Sequence, residues 1–524
     1  MSESQDLHPF LNTIISRTIK TQWRLCLYSE KRRNPLEKVL ASHTVELSRN
    51  IGASIPDKRL ACTLDSLAFL CTCLSRHQSV ALSLTLPPGE TRAIICIAQS
   101  DDVSEDVVVS FLSRLWLSLR GLAALKQTSG SVSRKPQGDV PSGEIDPVKA
   151  KATDLWIDLL CHGFENVRYR FLKRSGQFRD FIEWWEVQDH SQDNPLFIAA
   201  LSDVFLCMGS LITHVSLKQL DPMDRSCFVD LARMLPRLHG LCQHLFNYDF
   251  DGGKSALHQW SRRYEIATKS YFRLRPYLVK CISAYDHAQV LLKFSGSTRV
   301  SRILRQDLYV KHIPPQYRSN ALRPDSWKDY IEAVFVSAGA SIDLRFNAAV
   351  EHACWLAEEE CDNARESITY SRRSLTTAAE RIRIHCACRL LSYHHENIVH
   401  GSDLTEGGAD TKALPMNYIG SSKSMCYACN RYFLACNSFL DESFQFIFHT
   451  QHTDLRMYGP WAMPDLVDDS SARGIWDKFF KIISEDYVRY LFAKNILTKS
   501  ISPQVQAEEK FKLPNPFIFG LDVL

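Results

Sequence analysis

The sequence predicts an α+β chain that is predominantly helical, and three observations support this. Between about 150 and 292, the runs WIDLLCHGF, WWEV, FIAALSDVFLCMGSLI and FVDLARMLPRLHGLCQHLF repeat apolar residues at three- and four-residue steps. That is the period of a helix with one buried face. Residues 79–86 (SVALSLTL) and 93–98 (AIICIA) are short, apolar and rich in Val, Leu and Ile, and Pro-Pro-Gly-Glu-Thr separates them, which is a hairpin signal. Finally, a short strand pattern, MNYIG at 416–420, runs toward a Cys-x-x-Cys.

In chain order, residues 7–28 read as an amphipathic helix through Phe10, Leu11, Ile14, Ile15 and Ile19. A second helix runs from Glu105 to about Leu125, closing a segment 1–125 that also holds the hairpin. Residues 126–149 are rich in Ser, Gly and Pro and have few large apolar side chains. Such a segment cannot offset its ordering entropy by burial, so it reads as a flexible linker. A helical region follows over 150–372.

Within that region, Arg299, Arg302, Arg305, Lys311, Arg318, Arg323 and Lys328 alternate with Tyr309, Tyr317 and Trp327. Basic plus aromatic is the composition of a single-strand nucleic-acid groove. A solvated helical face and loop is the other reading, because Asp307, Asp325 and Asp329 dilute the charge. Residues 331–396 read as helix, with Thr377 and Glu380 as a capping box. The unit 373–495 adds a Gly-rich loop from Gly401 to Ala413, a second strand FQFIFH at 444–449 and a helix from Gly474 to Leu491. Residues 496–524 carry Pro503, Pro514 and Pro516 and read as an irregular tail. No fixed-length repeat is visible.

Bulk properties narrow the function classes. The chain of 524 residues is 45% hydrophobic and 23% charged, close to a soluble globular average. Its 62 basic and 59 acidic side chains are too evenly matched to attract nucleic acid or membrane by overall charge. No stretch reaches a membrane span; the closest, Pro195 to Ile212, contains Asp203. The N-terminus lacks a basic, then apolar, signal segment. Seventeen scattered cysteines suit reduced thiols, so the expected setting is intracellular, cytoplasmic or nuclear. No phosphate-binding lysine loop and no Gly-x-Ser-x-Gly elbow is present.

The chemistry concentrates at His385, in RIHCACRLLSYH, and at Cys426-Tyr-Ala-Cys429. When a strand feeds a helix whose first turn holds both cysteines, the positive end of the helix favours thiolates. One histidine from a second helix then makes three protein ligands, the open layout of a catalytic Zn2+ rather than a closed structural shell.

The run His385-Cys-Ala-Cys-Arg-Leu-Leu391, followed by Tyr418-Ile-Gly-Ser-Ser-Lys-Ser-Met-Cys-Tyr-Ala-Cys429, resembles the cytidine-deaminase-like superfamily. Within it the sequence is most similar to the OTT-type deaminase-like family, known largely from fungi. Tyr458-x-x-Trp461-x-x-Pro464 resembles that family's downstream segment. The likeness covers about 380–465. It implies a C-terminal α/β/α sandwich with zinc between two helix N-termini, joined to a large helical insertion or an N-terminal helical domain. The hairpin at 79–98 belongs either to the deaminase sheet or to a separate N-terminal domain. The implied activity is hydrolytic deamination of a cytosine- or adenine-type base, in a nucleotide or in single-stranded nucleic acid. Against this stands a non-catalytic helical scaffold that binds a protein or nucleic acid and uses zinc only as a brace.

Two departures from the family pattern bear on catalysis. Deaminases place a glutamate two residues after the zinc histidine to move the protons. Here Ala387 stands at that catalytic position, and losing such a group costs roughly 10² to 10⁴ in rate. Either the chain is a natural pseudo-enzyme or Ala387 silences an active one. Glu396 is eleven residues on, about 16 Å along a helix, and cannot substitute. Met425 replaces a proline common before the first cysteine. The family layout also begins a helix at His385, so a helix from Thr377 must break near the β-branched Ile382 and Ile384.

Other candidates are weaker. At one and three residues from His385, at most one of Cys386 and Cys388 can face the ion. His394, His395 and His400 read as surface or core histidines, and Cys71 and Cys73 as core. His452 and Trp461 are the candidate substrate-binding residues, with His449 nearby at the strand's end, and a structural role is the equal alternative for them.

Overall fold

The computed structural model describes residues 58–72, 78–89, 91–100, 105–132, 146–191, 193–217, 225–248, 250–251, 254–297, 302–319, 327–339, 350–351, 353–354, 381–400, 414–444, 446–450, 461, 463–464, 466 and 469–493. These residues are mostly helical, with a small mixed sheet. The expected helix at 7–28, the capping box at Thr377, His452 and the tail lie outside the described residues.

In chain order the elements are α1 (Lys58–Leu70), β1 (Val80–Thr85), β2 (Arg92–Gln99), α2 (Glu105–Val132), α3 (Pro147–Leu172), α4 (Ser175–Glu186), α5 (Pro195–Leu217), α6 (Val229–Tyr248), β3 (Phe250–Asp251), β4 (Lys254–Ser255), α7 (Ala256–Thr268), α8 (Leu274–Ser295), β5 (Asp307–Ile313), β6 (Tyr317–Ser319), α9 (Trp327–Ser337), β7 (Arg381–Arg383), α10 (Cys386–His400), β8 (Tyr418–Ser421), α11 (Tyr427–Phe444), β9 (His449–Thr450) and α12 (Asp469–Ala493). They fall into two compact units. The described parts of Pro56–Pro314 and Thr405–Lys423 form one, and those of Pro315–Leu404 and Ser424–Leu524 form the other.

The first unit contains the hairpin and most of the helices. β1 and β2 pair antiparallel, from Val80 opposite Gln99 to Thr85 opposite Ile94. Gly89, with φ +78°, makes the turn that a side chain would strain. β1 also pairs antiparallel with β8, placing Ala81 opposite Ser421 and Leu82 opposite Gly420. The early hairpin therefore extends the strand that leads toward Cys426. β2 pairs parallel with β5, Arg92 opposite Asp307 through Ala98 opposite Ile313. Parallel neighbours need a long crossover, and α2 to α8 together form it.

Val80, Leu82, Leu84, Ala93, Ile95 and Ile97 share a core with α1, α2, α3, α6 and α8. The opposite face, Ala81, Ser83, Thr85, Ile94, Cys96 and Ala98, is buried as well. Strands covered on both faces read as apolar runs rather than alternating patterns, which explains the composition of SVALSLTL and AIICIA.

Two helices are long and apolar enough to cross a membrane by length and composition, over Glu105–Thr128 and Pro195–Ser216. Burial accounts for part of their character: Val108, Phe111, Leu115, Trp116 and Leu119 of α2 are in the core, as are Phe197, Leu201, Val204, Met208 and Leu211 of α5, whereas Leu117, Leu196 and Leu206 are exposed. α2 runs to Val132, into the segment read as linker, so helix continues past the last strongly apolar turn.

α1 and β8 meet closely. A Cβ placed on Gly420 would lie 2.5 Å from the Leu64 carbonyl carbon, so only glycine fits there. Asp65 of α1 accepts the Tyr418 hydroxyl at 2.7 Å and the Ser421 backbone N–H at 2.9 Å. Burial pushes the Asp65 carboxyl up to about 6, against these two hydrogen bonds.

In the second unit, β6 pairs antiparallel with β7, Tyr317 opposite Arg383. Within the helical reading of 331–396, the break expected near Ile382 and Ile384 takes the form of a strand. Arg381–Arg383 is strand, and helix resumes only at Cys386. The physical reason is the β-branched pair Ile382 and Ile384, whose χ1 restriction favours extended backbone; the Ile384 N–H donates to the Gln316 carbonyl at 3.0 Å. The strand FQFIFH also shortens to β9, His449–Thr450. Asn437 of α11 takes both backbone groups of Phe448, accepting its N–H at 2.9 Å and donating to its carbonyl at 2.7 Å. A side-chain amide thus occupies the place of a ladder partner.

Candidate metal centre

Two helix starts build the site. The Arg389 N–H donates to the His385 carbonyl at 3.0 Å, and the Asn430 N–H to the Cys426 carbonyl at 3.0 Å. Each is the first intrahelical hydrogen bond of its helix, so His385 and Cys426 occupy the N-cap positions of α10 and α11. The Cys426 sulfur also caps α11, accepting the Cys429 N–H at 3.4 Å. Helices α10 and α11 are tied by the buried Ser392 and Tyr432 hydroxyls, 2.7 Å apart.

The three ligand atoms converge. His385 Nδ1 is 3.0 Å from Cys429 Sγ and 3.5 Å from Cys426 Sγ, and the two sulfurs are 3.2 Å apart. This is a group of donor atoms that could hold a metal ion. Zinc with ordinary bond lengths in tetrahedral geometry separates such donors by roughly 3.5 to 3.8 Å. The group is a few tenths of an ångström tighter than that and of the right chemistry, so the residues fit a zinc-like ion. Both cysteines are buried and His385 is half-buried.

Electrostatics favour a bound cation. The hydrogen bond with the Cys429 thiol, and then burial, push Cys426 well up; burial, and then the Cys388 thiol, push Cys429 well up. Sulfurs so desolvated hold negative charge only beside a compensating positive one, which a divalent ion and two helix N-termini provide.

Residues 384–465 match the OTT_1508-like deaminase family model. This segment is similar to a deaminase domain of a cytidine-deaminase-like family. No curated protein and no solved structure matches the chain.

The structure brings His385, Cys426 and Cys429 of this domain together, and it places Ala387, buried, in the first turn of α10. Trp461 is 1% exposed and stacked on Phe479 at 5.1 Å, with Tyr432 at 6.1 Å. It is therefore a core side chain of the domain, and its indole also faces the Cys388 and Cys429 sulfurs. Cys388 is buried, stands outside the ligand group, and its thiol helps push Cys429 up. His394 and His395 are buried against Phe448 and Phe439, a core role.

Sequence reasoning missed the support behind the cysteines. Tyr427 and Arg431 of α11 both donate to Asp486 Oδ2 of α12, at 2.8 Å and 2.6 Å. The available signal was Arg431, a charge directly before the apolar run YFLAC, four residues after Tyr427 and so on the same helical face.

Proposed function

We propose that the deaminase-like domain holds one zinc ion through His385, Cys426 and Cys429 and that, with Ala387 in place of an acid, it binds its ligand without turning it over. The observation that carries this reading is the convergence of three donor atoms, within 4.8 Å of one another, at two helix starts. Zinc in such a site supplies Lewis acidity. The rest is done by the chain: the two N-caps orient the donors, the half-buried imidazole leaves an approach for a small molecule, and burial keeps bulk water from the sulfurs.

What the site lacks is a proton carrier. Among the described residues no carboxylate joins the donor group, and the Ala387 methyl cannot accept or deliver a proton. The family's chemistry, removal of ammonia from a cytosine- or adenine-type base, is the reaction this arrangement would support once a carboxylate stood at 387. The three-layer sandwich is the architecture we assign to it, supported by the burial of both faces of β1 and β2.

A nucleotide or single-stranded nucleic acid is the ligand we favour. Its support is the likeness of residues 384–465 to a deaminase family. An intracellular setting, cytoplasmic or nuclear, would keep the sulfurs reduced.

The test is a metal count joined to an ammonia assay. The purified protein should carry about one zinc per chain and release no ammonia from cytidine, adenosine or single-stranded oligonucleotides. The Ala387→Glu variant should release ammonia from at least one of them. A zinc-loaded Ala387→Glu protein inert on all of them would remove the deaminase part of the reading, and a chain without metal would remove all of it.

A further inference from the structure

The ligand pair Cys426 and Cys429 alternates along the chain with two residues that one carboxylate grips. Tyr427 follows Cys426 directly, and Arg431 comes two residues after Cys429. The Tyr427 hydroxyl donates to Asp486 Oδ2 at 2.8 Å, and Arg431 Nε donates to the same oxygen at 2.6 Å. The Arg431 guanidinium also lies over the Tyr427 ring, 5.0 Å from its centre, and bonds Asn430 Oδ1 at 3.0 Å. All three side chains are essentially inaccessible: Tyr427 and Arg431 at 0% and Asp486 at 2%.

A carboxylate and a guanidinium so deeply buried are expensive to desolvate, and an apolar pair of similar volume would usually stabilise the fold as well. Orientation is what the ion pair adds. Two donors four residues apart on α11, converging on one oxygen of α12, fix both the rotation and the height of the first turn of α11. That turn carries both sulfurs. α12 spans Asp469–Ala493, beyond the matched segment 384–465.

We propose that Asp486 is a positioning residue of the metal centre, acting through Tyr427 and Arg431, so that ion retention depends on a helix outside the matched domain. The inference rests on the zinc reading above. A sulfur pair set at a fixed spacing binds an ion without first paying to order itself, and outer partners of metal ligands typically contribute 10- to 100-fold in affinity.

Three full-length variants test it. Tyr427→Phe removes one hydrogen bond and keeps the ring. Asp486→Asn breaks the pair. The double variant Arg431→Met/Asp486→Leu replaces the pair with apolar side chains and leaves no orphaned charge. Zinc affinity is read by competition with a chromophoric chelator, and donor geometry by the sulfur-to-metal absorption band of the Co2+-loaded protein. The double variant and Asp486→Asn should lose about 10- to 100-fold in zinc affinity with a shifted cobalt band, and Tyr427→Phe a few-fold. A purely structural ion pair would lower the melting temperature and leave both readouts unmoved.

A folded double variant with unchanged affinity and an unchanged band overturns the proposal. Should the two charge variants fail to fold, an unchanged Tyr427→Phe overturns it alone. Wild-type protein that binds neither metal is a different failure: it removes the zinc reading itself, and this inference with it.

Discussion

At residue scale, the site is sensitive because its donors are few and buried. Serine in place of Cys429 keeps the volume and loses the soft sulfur ligand, the hydrogen bond with His385 Nδ1 and the interaction with Cys388. Cys429→Ser should abolish stoichiometric zinc, measured by elemental analysis, and lower the thermal midpoint of the second unit. Retention of a full zinc equivalent would show that the ion, if present, sits elsewhere. Gly420 offers a test in the first unit. Gly420→Ala should destabilise by about 1–3 kcal/mol in denaturant titration, because the new methyl must displace the Leu64 backbone. An alanine there that leaves the midpoint unchanged would contradict the close approach of α1 and β8. The Gly in the Ile-Gly-Ser segment is thus explained by packing, something its motif position alone did not show.

At the scale of elements, side chains decide where strands and helices stop. Asn437 completes the backbone of Phe448 from a neighbouring helix. Asn437→Ala would leave a buried N–H and C=O without partners at a cost of about 2–4 kcal/mol, seen as a lower unfolding midpoint with unchanged helix content. Asn437→Asp should restore the bond to the N–H alone and recover part of the loss. The helix break at Ile382–Ile384 was legible, because β-branched residues and the position of His385 pointed to it together. The short β9 was not, since FQFIFH has the composition of a full strand and only the spatial neighbour Asn437 reveals otherwise. α2 overran the linker boundary for a related reason: composition marks where apolar burial fades, and a helix can continue beyond that point.

At the scale of the whole molecule, pH exposes the balance in the first unit. Burial holds His162 and His287 down at about 4, well under their free value near 6.5. Arg114 adds to the shift at His162, and Arg170 to that at His287. Both rings stack on phenylalanines, Phe111 and Phe69. Below pH 6.5 the unfolded chain binds protons that the folded histidines refuse, so each histidine's contribution is present above 6.5 and lost as pH falls toward 4. Each is worth at most about 3 kcal/mol. Asp65 acts in the opposite direction. Its carboxyl titrates near 6 when folded, so its burial penalty is relieved over part of the same interval. Two histidines against one carboxyl leave a net loss, and denaturant midpoints at pH 7, 5 and 4 should fall steadily. His287→Gln should remove most of that decline, because one histidine then stands against one carboxyl of nearly equal and opposite shift; a variant as acid-sensitive as the wild type would refute the assignment.

By itself the sequence determined the helical character, the hairpin and the three donor residues that could hold a metal ion. Each is written in local periodicity or in a spacing that chemistry constrains: a 3.6-residue repeat, two apolar runs about a turn, a Cys-x-x-Cys after a strand. It also determined what is missing, since Ala387 is read directly from the chain. Only the tertiary structure decided that residues 80–85 pair with 418–421, that α2 to α8 form one crossover between β2 and β5, and that Asp486 grips the turn bearing both cysteines. These are contacts between residues dozens to hundreds of positions apart. Their energy comes from mutual burial and hydrogen bonding, and neither leaves a period in the sequence.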